Sequence, residues 1–366
     1  MGKRELENMD NYQRANYLDR LRVLAAIAVI AVHVTAEYIY SVPVGSSQWQ
    51  AMNILDGCVR WCVPVFVMIS GALFLRTNPQ GEERTKDYKK IWKRNILHLV
   101  TAFLFWSTVY CLSDYYQLEG MDHAWAHRIS EIIFGPVPFW YLYMIFGLYV
   151  LLPFLRPIAH DKRLLKGILI LSLIFTFLFP SLQMIAQDYS AGSPFLSLAV
   201  SVAFSGIGNF SWHFTLGYTS YFLLGYALAN ASISRKRQRI LYALGLIGLI
   251  LVPVVTSYLS NRSGELATQY YGYFFLPTMA AAAALFVFAK YHWDSPSKIW
   301  CFLLKNTFGI YLVHHLILFM IRHNFPYFSG VISFGGILIL TGIVFVISLL
   351  ISIVIHQIPV LKNWVV

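Results

Sequence analysis

The sequence predicts an all-α, polytopic integral membrane protein of about ten transmembrane helices with both termini cytoplasmic. Three observations predict it. Of 366 residues, 58% are hydrophobic and 12% charged, with a mean hydropathy of +0.59, where a soluble domain carries about 25% charge. Apolar runs of about 20 residues, long enough to cross a bilayer, recur along the whole chain. Lys and Arg alternate between the loops on either side of them.

The apolar runs place spans near 17–39, 53–75, 92–113, 138–157, 164–183, 213–231, 240–259, 271–289, 300–321 and 331–356. Of the 28 Lys and Arg, 24 fall on the side that holds both termini. The other side has Arg128, Arg262 and Arg322, and Arg60 lies inside span 2. An excess of cations marks the cytoplasmic side, which fixes the orientation. One missed span would scramble the alternation, so it also supports the count. The net charge of +11 is therefore a topology signal and not a nucleic-acid footprint. The polar residues before span 1 and the length of that span argue against a cleaved signal peptide; it reads as a retained anchor. No stretch between spans is long enough for a soluble domain, so residues 1–366 read as one membrane domain.

Span 1 carries the strongest constellation, from Arg22 to His33 and Glu37. Eleven residues separate Arg22 from His33, which is three turns plus roughly 20°, so both share a face. They lie roughly 16 Å apart along the axis, Arg22 at headgroup level and His33 near mid-membrane. A titratable group at that depth is costly and faces a protein interior or a wet cavity. Imidazole suits acid–base chemistry near neutral pH. Glu37, one turn on, is placed to orient the ring. Arg22, with Arg20 nearby, suits an anionic group at the cytoplasmic face.

Span 2 offers Asp56 and Arg60, four apart and able to pair, ahead of Pro64, which kinks the helix and releases a carbonyl. This pair reads as an acceptor-side wall or as a structural ion pair. The basic group Lys89, Lys90, Lys93 and Arg94, with His98 one turn inside, suits several phosphates or anionic lipid. Trp140, in the run Pro138-Phe-Trp-Tyr-Leu-Tyr143 that opens span 4, is an interfacial belt residue or a sugar platform. In span 9, Tyr311 and His314 share a face, as cavity lining or as an interhelical hydrogen bond. The loop between spans 3 and 4 brings Asp122, His123, His127, Arg128 and Glu131; that between spans 5 and 6 brings Trp212 and His213. Cys58, Cys62, Cys111 and Cys301 have no metal or disulfide spacing and read as inert thiols. No ligand spacing suggests a metal.

These residues carry a resemblance. The Arg22…His33 spacing, then Arg60-Trp-Cys-Val-Pro64…Met68-Ile-Ser-Gly71, Phe139-Trp140-Tyr-Leu-Tyr and Gly309-Ile-Tyr311-Leu-Val-His314 resemble the membrane-bound acyltransferases that O-acylate surface polysaccharides. Their order and spacing are similar to those of the enterobacterial common antigen O-acetyltransferase subgroup. The resemblance covers essentially the whole chain and rests on the joint order of the motifs. It implies a bacterial cytoplasmic (inner) membrane protein with ten spans. It implies acetyl-CoA as cytoplasmic acyl donor, a surface glycan or lipid-linked sugar as acceptor, and essential roles for Arg22 and His33. Glu37 lies outside that signature. Some relatives carry a fused esterase-like domain; with none here, acceptor chemistry is expected within the membrane domain.

The expected mechanism places CoA phosphates on Arg22, Arg20, Lys89, Lys90, Lys93, Arg94 and His98, and the thioester near His33. Asp56, Arg60, Trp140, Tyr311 and His314 meet the acceptor. His33 deprotonates the acceptor hydroxyl or becomes transiently acylated, the direct route being preferred for its fewer steps. The competing class is a transporter or flippase of a small polar solute or lipid-linked glycan, since intramembrane charges also mark transport paths. Span 6 has no counterpart of the Arg22–His33 pair, which counts against an inverted-repeat transporter.

Overall fold

Pro64 shows how this sequence shapes its helices. It cannot donate to the carbonyl of residue 60, and in the computed structural model the second span breaks at Arg60–Trp61. The structure describes residues 15–77, 81–113, 125–190, 192–208, 212–330 and 332–365. The long helices are α1 (Asn16–Ile39), α2 (Ser47–Phe74, with the break), α3 (Thr85–Leu112), α4 (Arg128–Val150), α5 (Lys162–Ser190), α6 (Trp212–Asn230), α7 (Arg235–Ser263), α8 (Leu276–His292), α9 (Lys298–Asn324) and α10 (Phe334–Gln357). Among the described residues nine apolar helices are long enough to cross a membrane, and no strand occurs. The expected sixth span falls on α6, which is 19 residues long and outside those nine. Its helix is interrupted at Gly217, whose φ of 31° and ψ of −130° suit a residue without Cβ.

The chain divides into two compact units. The first comprises the described residues of Asn11–Arg76 and Leu155–Pro296, hence α1, α2 and α5–α8. Within it α1 packs on both halves of α2 and on α8, α2 packs on α6, and α7 packs on α8 and the first half of α2. The α2–α6 contact is backbone on backbone. A Cβ on Gly71 would lie 1.8 Å from the Phe222 carbonyl oxygen, and one on Gly225 would lie 2.0 Å from that of Met68. Lipid supplies no hydrophobic drive between helices, so close approach through small residues provides the packing.

Pro253 inside α7 leaves the Leu249 carbonyl without its helical donor. The Cys58 thiol reaches that oxygen at 3.9 Å. Asn53 donates to the Pro253 carbonyl at 2.9 Å and Gln50 to Ser257 Oγ at 2.7 Å, so α2 is stitched along α7 around Pro253. Two basic residues that signalled topology in the sequence also cap helix ends. Buried Arg156 donates to the Phe74 carbonyl at 2.9 Å, with His160 2.9 Å from the Leu75 oxygen. Lys290 donates to the Leu228 and Ala231 carbonyls at 2.9 and 2.7 Å. Cations satisfy the last carbonyls of a helix in this way.

The second unit takes in the described residues of Thr77–Phe154 and Ser297–Val366, with α3, α4, α9 and α10. Here α9 packs on α10, and Ser352 donates to Asn306 Oδ1 at 3.0 Å. The Tyr110 phenol enters the ladder of α9: it donates to the Leu312 carbonyl at 3.1 Å and accepts from the Leu316 amide at 2.9 Å. Trp106 and Thr101 hold the last residues of the chain through the carbonyls of Val365 and Trp364.

Candidate active site

Helix α1 runs unbroken from Asn16 to Ile39. Most of it is buried, including Leu21, Ala25 and Val34 at 0% exposure. Asn16, Asp19, Arg20, Arg22, Leu24, Ile27, His33, Ala36 and Glu37 are only half-buried, and Tyr40 just past the end is exposed. At about 100° per residue Asp19, Arg22, His33, Ala36, Glu37 and Tyr40 fall within a stripe roughly 100° wide, while Asn16, Arg20, Leu24 and Ile27 lie on the other side. The stripe runs from Asp19 through Arg22 to His33, roughly 16 Å past Arg22 with the buried Ala26, Val29 and Ile30 between them, and ends at Tyr40 roughly 27 Å from Arg22, close to a hydrocarbon thickness. Arg20 lies on the opposite side of the helix. Its guanidinium donates to the Ser295 carbonyl and Oγ at 2.8 and 2.6 Å, while the Tyr17 amide donates to Asp294 Oδ1 at 3.2 Å. Arg20 therefore anchors the start of α1.

A cavity of about 310 Å³ opens at the far end of the stripe. Ala36 and Tyr40 of α1 line one side, Asp56 and Arg60 of α2 another, and the segment around Tyr271 and Tyr273 a third. All belong to the first unit. Asp56 and Arg60 form an ion pair through Oδ2. The Arg60 guanidinium also lies 4.5 Å from the centre of the Tyr271 ring, a cation–π contact. Tyr271 in turn donates to Asn53 Oδ1 at 2.7 Å. The charge pair is thus fixed by a chain of contacts from Tyr271 through Asn53 to the Pro253 carbonyl. Two buried atoms of the pair, Asp56 Oδ1 and Arg60 Nε, have no hydrogen-bond partner among the described residues.

In the second unit Lys89, Lys90, Lys93 and Arg94 are all exposed. Lys93 and Arg94 lie on a π-helical turn, Ile91–Ile96, a device that recurs at functional sites. The His98 ring is 5.5 Å from that of Phe308. Trp140 packs edge-to-face on Tyr141, with ring centres 6.3 Å apart. Tyr311 donates its hydroxyl to the Pro138 carbonyl. His314 is wholly buried, and its Nδ1 is 2.6 Å from the Tyr311 carbonyl oxygen. Asp122 and His123, and the side chains of His127, Trp212 and His213, lie outside the described residues. Among the described residues no cluster of His, Cys, Asp or Glu has the makings of a metal site.

Of the five residues expected at the acceptor, Asp56 and Arg60 line the cavity; Trp140, Tyr311 and His314 belong to the second unit. Sequence reasoning missed Tyr40, Tyr271 and Tyr273. The signal available was the run Tyr270-Tyr-Gly-Tyr273 ahead of α8, which reads like any interfacial aromatic cluster until its packing is known.

An acyltransferase domain family matches the chain over residues 15–356. No curated protein and no solved structure matches it.

Proposed function

Because the chain belongs to this acyltransferase family and carries multiple membrane-spanning helices, we propose that it moves a short acyl group, acetyl first among them, from acyl-CoA to a hydroxyl of a surface or lipid-linked glycan. The enterobacterial common antigen type of O-acetyl transfer is the proposed subclass, and a bacterial cytoplasmic membrane the proposed setting. The observation that supports this reading is that Arg22 and His33 share one face of a membrane-length helix with Ala36 and Tyr40, which line a cavity at its far end.

In the proposed reaction Arg22 meets the anionic part of the donor at the cytoplasmic end. Lys89, Lys90, Lys93 and Arg94, which the charge distribution of the sequence assigns to the cytoplasmic side, are exposed and suit anionic groups there. His33 takes the proton of the acceptor hydroxyl as its oxygen attacks the thioester carbonyl carbon. The carbon–sulfur bond breaks, and the imidazolium returns its proton to the departing CoA sulfur. Glu37, one turn beyond on the same stripe, stabilises that imidazolium. A relay through acyl-His33 is the alternative route, and a labelled acyl-protein that disappears in His33→Ala would favour it over direct transfer.

The test is product identity. Membranes holding the protein are given labelled acetyl-CoA and a surface-glycan extract, and the label is followed into a base-labile ester on the glycan. An ester that forms only with intact His33 supports the reading. Passage of unmodified glycan or solute across the membrane, with no ester, would replace it with the transporter reading.

A further inference from the structure

The segment between α7 and α8 forms much of the cavity wall, through Leu266, Thr268, Tyr271, Gly272 and Tyr273. Its regular structure is one short 3-10 turn, Thr268–Tyr271, so its polar groups need partners outside a helix ladder. The two ends of the segment are fixed. Helix α7 closes at Gly264, whose φ of 78° is left-handed, a common helix stop. The Ala267 amide donates to Ser260 Oγ at 2.9 Å. The Leu276 amide, which opens α8, donates to Ser181 Oγ of α5 at 2.8 Å. The Tyr221 hydroxyl of α6 donates to the Tyr273 carbonyl.

Between these fixtures two successive tyrosines tie the turn to two different helices. Tyr271 donates to Asn53 Oδ1 of α2 at 2.7 Å, and its ring centre lies 4.5 Å from the Arg60 guanidinium. Tyr270 turns to α5 and donates to Asp188 Oδ2 at 2.6 Å; Gln269 donates to the same oxygen at 3.0 Å. Both tyrosines are buried in one cluster with Val252, Ala267 and Phe275. Asp188 and Ser181 are seven residues apart and so share a face of α5, and both bond this segment. A hydrogen bond to an ionised oxygen is roughly twice as strong as a neutral one. Removing the carboxylate leaves the hydroxyl of buried Tyr270 without that acceptor, which is costly. One peptide joins Tyr270 to Tyr271, so a turn released from Asp188 shifts the ring that lies on Arg60.

We propose that Asp188 is a positioning residue for the acceptor. Through Tyr270 and Gln269 it holds the turn that keeps Tyr271 on Arg60 and Tyr273 in the cavity wall. Asp188 is not among the lining residues and handles no reacting atom. The proposal rests on the acyl-transfer reading above, with the cavity as the acceptor's place, and it adds a residue on a helix that reading does not use.

Two measurements test it. Hydrogen exchange of the purified full chain, read by mass spectrometry, needs neither donor nor acceptor. Asp188→Ala raises exchange over residues 265–276 about tenfold and leaves α1 unchanged. Asp188→Asn, which keeps an acceptor oxygen, falls between. Kinetics are then read in membranes given labelled acetyl-CoA and a surface-glycan extract. Asp188→Ala raises the glycan KM about tenfold, while kcat and the KM for acetyl-CoA stay within about twofold. Asp188→Asn recovers part of the loss. If Asp188→Ala does not accumulate, Tyr270→Phe removes one hydroxyl from the same contact and is read in the same two ways. A purely structural role would lower the melting temperature and leave the glycan KM of the folded enzyme unmoved. That result, or unchanged exchange over 265–276, overturns the proposal. Wild-type membranes that form no ester defeat the acyl-transfer reading and the acceptor role with it, while the exchange comparison still decides whether Asp188 holds the wall.

Discussion

Cys58 donates its thiol to the carbonyl of Leu249 at 3.9 Å, the oxygen that Pro253 leaves without a helical donor. Together with Asn53 on the Pro253 carbonyl, it fixes α2, the helix of the Asp56–Arg60 pair, to α7 around Pro253. The charges at the cavity are therefore set by a helix interface together with Tyr271 of the segment before α8, which suits a site that must hold its geometry.

The ion pair is predicted to be more costly to break than to remove. Arg60→Met leaves Asp56 buried without its cation and lowers stability by about 3–5 kcal/mol. The double variant Asp56→Asn with Arg60→Met recovers much of that loss but not acceptor affinity. Thermal unfolding in detergent, set beside acceptor KM, checks both parts.

Gly71 and Gly225 leave no room for a Cβ. Gly71→Ala and Gly225→Ala each force α2 and α6 apart and destabilise by about 1–3 kcal/mol or more. An equal substitution at Gly147, where a Cβ meets nothing within 4 Å, is tolerated. Melting temperatures of the three variants provide the comparison.

Pro64→Ala restores an amide that pairs with the Arg60 carbonyl and closes the break in α2. Stability is maintained or rises, since an interior proline costs a helix about 3 kcal/mol. Acceptor KM rises because Arg60 is re-aimed. A variant that gains stability and keeps its acceptor KM would show that the break plays no part in the site.

The two ends of the α1 stripe are predicted to separate kinetically. Arg22→Ala raises the KM for acyl-CoA about tenfold or more, the scale of a lost hydrogen bond to a charged group. His33→Ala lowers kcat by about 10²–10⁴ and leaves acyl-CoA binding nearly intact. Steady-state kinetics with both substrates varied reads the split.

The helices and the stripe were legible in the sequence because both follow from the 3.6-residue period, which needs no partner to be seen. Pro64 and the Asp56–Arg60 spacing were legible for the same reason. Arg20 was not: only the fold brings Ser295 to its guanidinium and removes it from the face of Arg22. Arg156 and Lys290 looked like topology charges, and their capping of α2 and α6 depends on contacts 59 to 82 residues away in sequence. Tyr271 and Tyr273 were hidden because an aromatic run looks alike whether it meets lipid or lines a cavity. The two units were hidden because each is assembled from segments far apart in the chain.

The most direct measurement is CoA release from acetyl-CoA by inside-out membrane vesicles, for wild type and His33→Ala, with and without a total surface-glycan extract. Release that needs both the glycan and His33 is the predicted result. Release of the same size from His33→Ala would contradict the account at its centre, because the stripe on α1 would then hold no acid–base group for the transfer.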